Sequence, residues 1–307
     1  IPRWKTVLPQ DAGEFSGPGR SSNPMESQRI AFFTAGRFGY FHADGTVASI
    51  FDSTATVAIS DTAYISIPGS GNGGILKAAD NEVIAEIKDI SPFFMSGRLF
   101  SAKADGTGVS SFDGRGNELW SYIFPCQLSA FASSDALSVG GTVDGWLEGI
   151  DKNGGKAFSF SPGGSRLPVV LGTAVSGSGN WIAAVSGIDR QRLVVLGRGG
   201  TDYRVTSHRY LESDFREPVR LVIMDDDTHV LYRRNDGVGV WSVDGKVDEV
   251  LPVLAEDFEV SIDLLHQVAL LTSRNGREKS ITVFRTPSTL LGTIKLPESS
   301  DFIRIVG

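Results

Sequence analysis

The stretches "DGTGVSSFDGRGNELWSYIF" (105–124) and "DGWLEGIDKNGGKAFSF" (144–160) follow one plan. Each begins with Asp-Gly, continues through a short strand that ends in Asp, makes a glycine-bearing turn, and enters a strand that carries an aromatic residue. Asp, Asn and Gly favour tight turns for reasons of backbone geometry. The shared plan therefore predicts a fold built from repeated β-hairpins.

The strand, turn and strand of this plan recur along the chain. The copies are "YFHADGTVASIFD" (40–52), "ILKAADNEVIAEI" (75–87), "FSAKADGTGVSSFD" (100–113), "SVGGTVDGWLEGID" (138–151), "AVSGIDRQRLVVL" (184–196), "LYRRNDGVGVWSVD" (231–244) and "LTSRNGREKSITVF" (271–284). Their turn residues are Asp44, Asp80, Asp105, Asp144, Asp189, Asp236 and Asn275, spaced by 36, 25, 39, 45, 47 and 39 residues. Most spacings fit the four-stranded blade of a β-propeller, whose repeats run about 40 to 50 residues. The second copy is anomalous, because its spacing leaves no room for a fourth strand between Ile87 and Ser91.

Other segments supply the remaining strands of each blade. Apolar strands precede the hairpins and are typical of the inner strands of a propeller; they are "IAFFT" (30–34), "PFFMS" (92–96), "VVLGTAV" (169–175), "VRLVIM" (219–224) and "EVSIDLL" (259–265). Fourth strands are predicted at "ELWSYIF" (118–124), "KAFSFS" (156–161), "TDYRV" (201–205) and "LLGTIKL" (290–296). Asp-Gly and Asn-Gly indicate two-residue hairpins, in which both central residues need φ > 0.

The predicted fold is all-β, a β-propeller of seven blades with mostly four antiparallel strands each, and eight blades as the alternative. We expect one domain over residues 1–307, with a polar, flexible loop at 16–28. Strands from both termini, "RWKTVLP" (3–9) and "DFIRIVG" (301–307), would close the ring, because closure removes an exposed edge.

Composition excludes several classes of function. The net charge is −7 and no basic stripe occurs, which argues against nucleic-acid binding. Apolar runs are far shorter than the roughly 20 residues that a membrane span needs. Cys126 is the single cysteine, so neither an intrachain disulfide nor a cysteine-based zinc site is possible. Because the chain begins at Ile1 and not at methionine, we expect that something precedes it: a signal peptide, a lipid or membrane anchor, or residues left out by a cloning choice, among which the sequence does not decide.

The two hairpins quoted first align residue by residue, from Phe112 with Ile150 to Trp120 with Phe158. Their shared form resembles the PQQ-like repeat of quinoprotein-type β-propellers. "VDGKVDEV" (243–250) and "LGRGGTDYRV" (196–205) are weaker matches, and WD40-like propellers are similar in pattern. The resemblance implies either a dehydrogenase, with quinone, calcium and a stacked cysteine pair, or a scaffold such as the propeller lipoprotein that assists outer-membrane protein assembly. Cys126 alone cannot form the pair, so the scaffold type is expected, with no cofactor.

Candidate metal and catalytic residues favour structural interpretations. Asp151, Asn153 and Gly155 are spaced like a calcium loop, but no closing carboxylate follows, which favours a structural turn. "MDDDTH" (224–229) is predicted to be a solvated turn. "PGSGNGG" (68–74) precedes a strand rather than the helix whose N-terminus would hold a phosphate. No HExxH, GxSxG or Walker motif occurs. No catalytic, metal or cofactor-binding residue is therefore assigned.

The longest connection between predicted blades, "TSHRYLESDFREP" (206–218), is the candidate site. It combines aromatic and arginine residues, which are enriched where proteins bind one another. The candidate partner-binding residues of this loop are His208, Arg209, Tyr210, Phe215 and Arg216.

These observations predict a non-enzymatic protein–protein interaction scaffold with a protein partner, because function must be argued from a site and no catalytic site is visible. The resemblance alone implies an extracytoplasmic location, in the periplasm or cell envelope. The alternative is a protein that binds or acts on a small molecule or glycan in the central channel, where polar side chains would converge.

Overall fold

The computed structural model describes residues 28–298 except 35, 54, 70–72, 264–265 and 267. These residues form strands and no helix. Most of the predicted loop at 16–28, and the terminal strands expected to close a ring, lie outside the described residues. Seven antiparallel sheets follow one another along the chain, as predicted for seven blades.

The strands of the first four sheets follow chain order, β1 to β15. Their bounds are β1 Arg29–Thr34, β2 Arg37–His42, β3 Val47–Asp52; β4 Thr56–Ile59, β5 Ala63–Ile67, β6 Gly74–Ala78, β7 Val83–Ile87; β8 Pro92–Met95, β9 Arg98–Ala102, β10 Gly108–Phe112, β11 Glu118–Ile123; β12 Leu128–Ser133, β13 Leu137–Thr142, β14 Leu147–Asp151, β15 Lys156–Phe160.

The fifth, sixth and seventh sheets contain β16 to β27. Their bounds are β16 Val170–Val175, β17 Trp181–Ser186, β18 Arg192–Gly199, β19 Asp202–Tyr210; β20 Leu221–Ile223, β21 His229–Arg233, β22 Val238–Ser242, β23 Asp248–Leu251; β24 Asp257–Asp263, β25 Val268–Asn275, β26 Glu278–Arg285, β27 Thr289–Leu296. Among the described residues the first sheet has three strands and each of the other six has four.

The chain divides into two compact units. The first comprises residues up to Ala102 together with Ser111–Glu118, and the second comprises Lys103–Ser110 and the residues from Leu119 to Ile305. In the first unit, Phe38 and Tyr64 lie at the centre of an aromatic cluster with Phe51. Burial raises the pKa of the Tyr64 hydroxyl, since the ionised form is disfavoured away from water.

The core of the second unit lies between consecutive sheets. Strands β13 and β17 are buried along almost their whole length, whereas the first strand β24 is only partly buried. The second strands β13 and β17 therefore contribute more to this core than the first strand β24 does, whereas the first strand β16 is also largely buried. Tyr232 and Trp241 of the sixth sheet pack with Leu171 and Val195 of the fifth.

The turn at Asp44 differs from the predicted two-residue hairpin, whereas the turn at Asn275 has two residues between the paired Asn275 and Glu278. At Asp44 the amide of Gly45 donates to the carbonyl of His42 (2.9 Å) and the amide of His42 donates to the carbonyl of Thr46 (2.8 Å). Only the glycine has positive φ, at 84°, and the strand register shifts beside the turn. This is the three-residue hairpin with a glycine bulge. Asp44 instead contributes its carboxylate, which accepts the Thr46 amide (2.8 Å).

The anomaly in the second repeat has a structural origin. Asp80 lies between β6 and β7, the third and fourth strands, rather than between the second and third as in the other copies. The second sheet is therefore complete, with β4 and β5 preceding the copy and "PGSGNGG" (68–74) joining β5 to β6. The expectation that this blade lacks a fourth strand was wrong, because the second strand of the Asp80 hairpin, β7, is itself the fourth strand of the blade.

Candidate interaction surface

The calcium-like spacing at Asp151 belongs to a turn, as predicted. The Asp151 carboxylate accepts hydrogen bonds from the amides of Asn153 (2.8 Å) and Gly155 (2.9 Å). Asp113 in the aligned hairpin accepts the amides of Arg115 (2.9 Å) and Asn117 (2.8 Å) in the same way. The Asn117 side chain also binds Asp113 and lowers the pKa of its carboxyl group.

The acidic turn between β20 and β21 is held by local hydrogen bonds. The Asp226 carboxylate accepts the amide of Thr228 (2.9 Å), and the Thr228 hydroxyl lies 2.7 Å from His229 Nδ1. Asp227 accepts a hydrogen bond from the hydroxyl of Ser178 in the fifth sheet. Within the described part of the chain, no group of three or more His, Cys, Asp and Glu side chains is placed to hold a metal ion.

The predicted loop at 206–218 is shorter than expected, because β19 continues to Tyr210. Thr206 bulges out between two paired segments of β19, and the ladder then resumes with Ser207 opposite Val195. The hydroxyls of Thr206 and Ser207 both donate to the carbonyl of Val243 in the sixth sheet (3.0 Å each). His208, Arg209 and Tyr210 are thus strand residues, and only 211–218 forms the connection.

Arg209 contributes to packing rather than to an open surface. Its guanidinium forms an ion pair with Asp248, lies 5.4 Å from the Trp241 ring centroid and is 3.4 Å from the Tyr232 hydroxyl. These contacts join the fifth and sixth sheets. Arg209 therefore differs from the exposed partner-binding residue that the sequence predicted.

Tyr210, in contrast, is exposed and surrounded by cations. The guanidinium of Arg190 lies 3.6 Å from its ring centroid and that of Arg192 lies 5.6 Å from it. The exposed ring of His208 lies edge-on at 6.4 Å. A Cβ atom at Gly164 would come within 2.9 Å of the Tyr210 hydroxyl. Glycine at this position therefore leaves room for the tyrosine side chain.

Phe215 and Arg216 differ in environment. Phe215 packs against the core cluster of the fifth and sixth sheets, and the Arg233 guanidinium lies 4.4 Å from its ring centroid. Its carbonyl accepts a hydrogen bond from the Gln191 side chain. Phe215 thus anchors the 211–218 connection, whereas Arg216 is exposed.

Asp189 fastens the connection between the fourth and fifth sheets, residues 161–169, to the hairpin between β17 and β18. Its carboxylate accepts hydrogen bonds from the Ser165 hydroxyl and from Arg166 Nε (3.3 Å). The hydrogen bonds from Ser165 and Arg166 hold the pKa of the Asp189 carboxyl group well below its usual range. Backbone bonds from Gly187 to Val169 and from Ile188 to Leu167 (2.9 Å each) complete the attachment.

The other side of this connection contacts the hairpin between β13 and β14. A Cβ atom at Gly145, where φ is 92°, would lie 2.5 Å from Cβ of Pro168. Trp146 and Leu167, the chain neighbours of Gly145 and Pro168, are 42% and 55% exposed, and Tyr210, beside Gly164 of the same connection, is 38% exposed. We call the exposed side chains of Val143, Trp146, Leu167, Arg190 and Tyr210 the Trp146–Tyr210 surface.

Of the five residues on this surface, only Tyr210 was among the candidate residues predicted from the sequence. Trp146 follows an Asp-Gly pair and Leu167 precedes a proline, so both have the sequence context of turns. The sequence feature that could have identified Trp146 is a large apolar residue next to a hairpin turn, where polar residues are usual.

A cavity of about 310 Å³ lies among the first strands of the fourth, fifth, sixth and seventh sheets. Its lining is mixed: apolar residues such as Leu171 and Leu221 lie beside polar ones, which include Ser129, Thr173, Arg220, Glu256 and Asp257. Arg220 Nε lies 3.5 Å from Asp257 and donates to the carbonyl of Phe258 (2.9 Å). The buried hydroxyl of Thr173 has no hydrogen-bond partner among the described residues.

The sheets, their turns and their order along the chain define a β-propeller. The chain belongs to the beta-propeller protein family, whose family model matches residues 1–303, and its seven sheets are the blades.

Similar proteins include an uncharacterized protein of Treponema pallidum (strain Nichols), 26% identical over 267 residues that make up 86% of this chain and 70% of the relative. Among solved structures, BamB from Moraxella catarrhalis superposes with a TM-score of 0.56 at 12% identity, covering 88% of this chain and 86% of that one. KlAtg21, in complex with the coiled-coil of AgAtg16, gives a TM-score of 0.60 at 10% identity and covers 88% and 99%. No helix in the described residues is long and apolar enough to cross a membrane.

Proposed function

We propose that this protein is a non-enzymatic protein-interaction scaffold and that the Trp146–Tyr210 surface is its binding surface. The carrying observation is that Trp146, Leu167 and Tyr210 are exposed on connections held in place by hydrogen bonds and close packing. Scattered apolar side chains are ordinary on protein surfaces, but exposed Trp and Tyr side chains are typical of interaction sites. Fixed connections also lower the entropic cost of binding.

The relatives support this proposal and the finer assignment to PQQ-like repeats. KlAtg21 is a propeller whose solved structure is a complex with a coiled-coil, so the fold is compatible with protein binding. The matching hydrogen bonds of Asp113 and Asp151 support a common repeat in the third and fourth blades.

We further propose an extracytoplasmic location, as the resemblance implies. Protease accessibility in intact cells after outer-membrane permeabilisation tests it, and protection of the protein under those conditions contradicts it.

Site-specific photocrosslinking in the source cells tests the proposed surface. A photoreactive phenylalanine at position 167 is expected to crosslink a defined protein that the same probe at position 291 does not. Leu291 is a suitable control because it is also exposed but lies on β27. The Trp146→Ala, Leu167→Glu double variant is expected to weaken binding of that protein by at least about tenfold, the effect of losing two anchor residues.

Leu291→Glu should leave the affinity unchanged. Identical crosslinking patterns from positions 167 and 291, or full binding by the double variant with unchanged circular dichroism, would contradict the proposal.

A second candidate function, binding of a small molecule or glycan, is favoured by the unpaired Thr173 hydroxyl beside the polar cavity. A ligand hydroxyl or carbonyl would satisfy it, since a buried polar group without a partner is costly. A thermal-shift screen of sugars and amino acids, repeated on Thr173→Val, tests this function. Stabilisation by one ligand that Thr173→Val abolishes supports it, and no stabilisation contradicts it.

A further inference from the structure

Two arginines beside Tyr210 are not neutralised by acidic partners. Arg190 and Arg192 both lie near the Tyr210 ring, and neither forms an ion pair with any described residue. In the same unit, Arg209, Arg233 and Arg166 each pair with a carboxylate. The positive charge at Tyr210 is therefore available to a binding partner.

The two guanidinium groups are held in position. Arg192 Nη1 donates to the carbonyl of Pro162 (2.6 Å), and the Arg190 guanidinium lies on the Tyr210 ring. Gln191 between them is buried and its side chain accepts a hydrogen bond from the hydroxyl of Ser213 (2.6 Å). Guanidinium groups bind carboxylates through charge-assisted hydrogen bonds. Little side-chain entropy remains to be lost when such a carboxylate binds.

No neighbouring acidic group among the described residues forms an ion pair with Arg190 or Arg192. The carboxylate of Asp189 is already engaged by Ser165 and Arg166, and that of Glu217 is engaged by Arg233. Glu212 and Asp214 are exposed on the 211–218 connection. Since the whole chain carries a net charge of −7, an acidic partner would find a favourable contact only where positive groups are concentrated, and this adds specificity.

We propose that the Trp146–Tyr210 surface binds an acidic peptide segment of a partner protein. A carboxylate of that segment would bind Arg190 and Arg192 beside Tyr210, and a nearby apolar side chain would pack on Leu167 and Trp146. This inference rests on the proposed function and adds the chemistry of the partner. The exposed apolar residues favour a peptide over a free anion, because phosphate alone would not use them.

Selection from a random peptide display library on the purified protein tests the proposal. The selected peptides are expected to be enriched in Asp or Glu close to Leu, Phe or Trp. Their affinity should fall by about tenfold or more when salt is raised from about 0.05 M to about 0.5 M, because screening weakens exposed charge pairs. The single variant Arg190→Glu, at an exposed position outside the core, should also weaken them by at least about tenfold.

Arg204→Glu is the matched control, since Arg204 is exposed near the start of the same strand, β19. It should bind the selected peptides as the wild type does. If peptides are selected through Trp146 and Leu167 but contain no excess of carboxylates, the proposed function stands and the acidic partner is excluded. Peptides that bind the Trp146→Ala, Leu167→Glu variant undiminished contradict the proposed function itself.

Inorganic phosphate and vesicles of phosphatidylserine with phosphatidylcholine serve as competing probes. If the vesicles bind through Arg190 and no peptide is selected, the acidic-peptide proposal is overturned in favour of an anionic membrane. Displacement of the peptides by millimolar phosphate alone would likewise overturn the contribution of the apolar residues.

Discussion

Glu148 on β14 is a carboxylate with only 2% of its side chain exposed. It accepts hydrogen bonds from the Tyr122 hydroxyl (2.9 Å) and the Ser159 hydroxyl (3.2 Å), and Lys156 Nζ lies 2.6 Å away. Tyr122 belongs to β11 of the third blade, so this group links neighbouring blades of the second unit. A buried charge of this kind is tolerated only when it is fully paired.

We expect Glu148→Ala to lower the free energy of unfolding by about 2 to 3 kcal/mol, because the Tyr122 and Ser159 hydroxyls lose their buried acceptor. Urea unfolding followed by tryptophan fluorescence measures the change. The exposed pair of Glu278 and Lys295, 3.1 Å apart, provides the control, since surface pairs contribute at most about 1 kcal/mol. Equal losses for Glu148→Ala and Glu278→Ala would show that burial does not strengthen the first group.

Tyr122 also gives stability a dependence on alkaline pH. Burial, together with the hydrogen bond to Glu148, raises the pKa of Tyr122 from 10.0 to about 12. The unfolded chain therefore releases this proton at lower pH than the folded chain does. The contribution of Tyr122 to stability is complete below pH 10 and is lost as the pH rises through about 12. We expect the unfolding free energy of Tyr122→Phe to fall less steeply with pH over this range, as measured by urea titrations; equal slopes would contradict the assignment.

At the residue scale, the sequence predicted which types of residue lie near the proposed binding surface, but it did not predict which of their side chains are exposed. Tyr210 is exposed as expected, whereas Arg209, the preceding residue, pairs with Asp248. Arg209 and Asp248 are separated by 39 positions in the sequence, so no local pattern reveals the ion pair between them. Trp146 was missed because the Asp-Gly pair before it predicts a turn but does not predict whether the next side chain is buried or exposed.

At the scale of the element, the repeated hairpin requires glycine for two separate reasons. Gly154 between β14 and β15 has φ of 86°, and a Cβ atom there would lie 2.5 Å from Cβ of Trp120. Gly276 between β25 and β26 also has positive φ, at 57°, but a Cβ atom would meet nothing within 4 Å. An alanine at Gly276 would therefore add only backbone strain, whereas an alanine at Gly154 would add both backbone strain and a clash with the neighbouring blade.

We expect Gly276→Ala to cost about 1 kcal/mol of stability, the strain of a left-handed residue with a side chain. Gly154→Ala should cost at least about 2 kcal/mol more, because Trp120 must move and core overpacking adds to the strain. Thermal unfolding of both variants measures the difference, and a shift in Trp120 emission should accompany Gly154→Ala alone. Similar costs would mean that Trp120 adjusts without strain.

Hairpin elements were predictable where local chemistry decides them, as the Asp-Gly turns show. The second blade was misaligned because its own turn between β5 and β6 lacks Asp-Gly and the Asp80 turn imitates it. The end of β19 was missed because the bulge at Thr206 interrupts its alternation of side chains. Both errors come from features that only pairing with a neighbouring strand reveals.

At the scale of the whole molecule, the sequence-based expectation of one domain over residues 1–307 remains our proposal. Of the three boundaries between the compact units in the described residues, two fall inside β10 and β11, between Ser110 and Ser111 and between Glu118 and Leu119, and the third follows Ala102 at the end of β9. Independent domains are normally separated in exposed linkers rather than within strands. We therefore expect a single cooperative unfolding transition.

Tryptophan positions make this proposal testable. Trp120, Trp146, Trp181 and Trp241 all belong to the second unit, so in a Trp4→Phe variant the fluorescence reports that unit alone. Far-ultraviolet circular dichroism reports the strands of both units. Coincident urea midpoints for the two signals are expected of one cooperative domain. Separate midpoints would show that the two units unfold independently.

The attachment of the 161–169 connection by Asp189 has a consequence for the order of events in the cell. The bond between Ser165 and Asp189 joins residues 24 positions apart, and Tyr210 reaches Arg190 only through the paired strands β18 and β19. The proposed binding surface is therefore absent from any nascent chain that has not completed its fifth blade. A partner would then bind only after synthesis and folding of this region are finished.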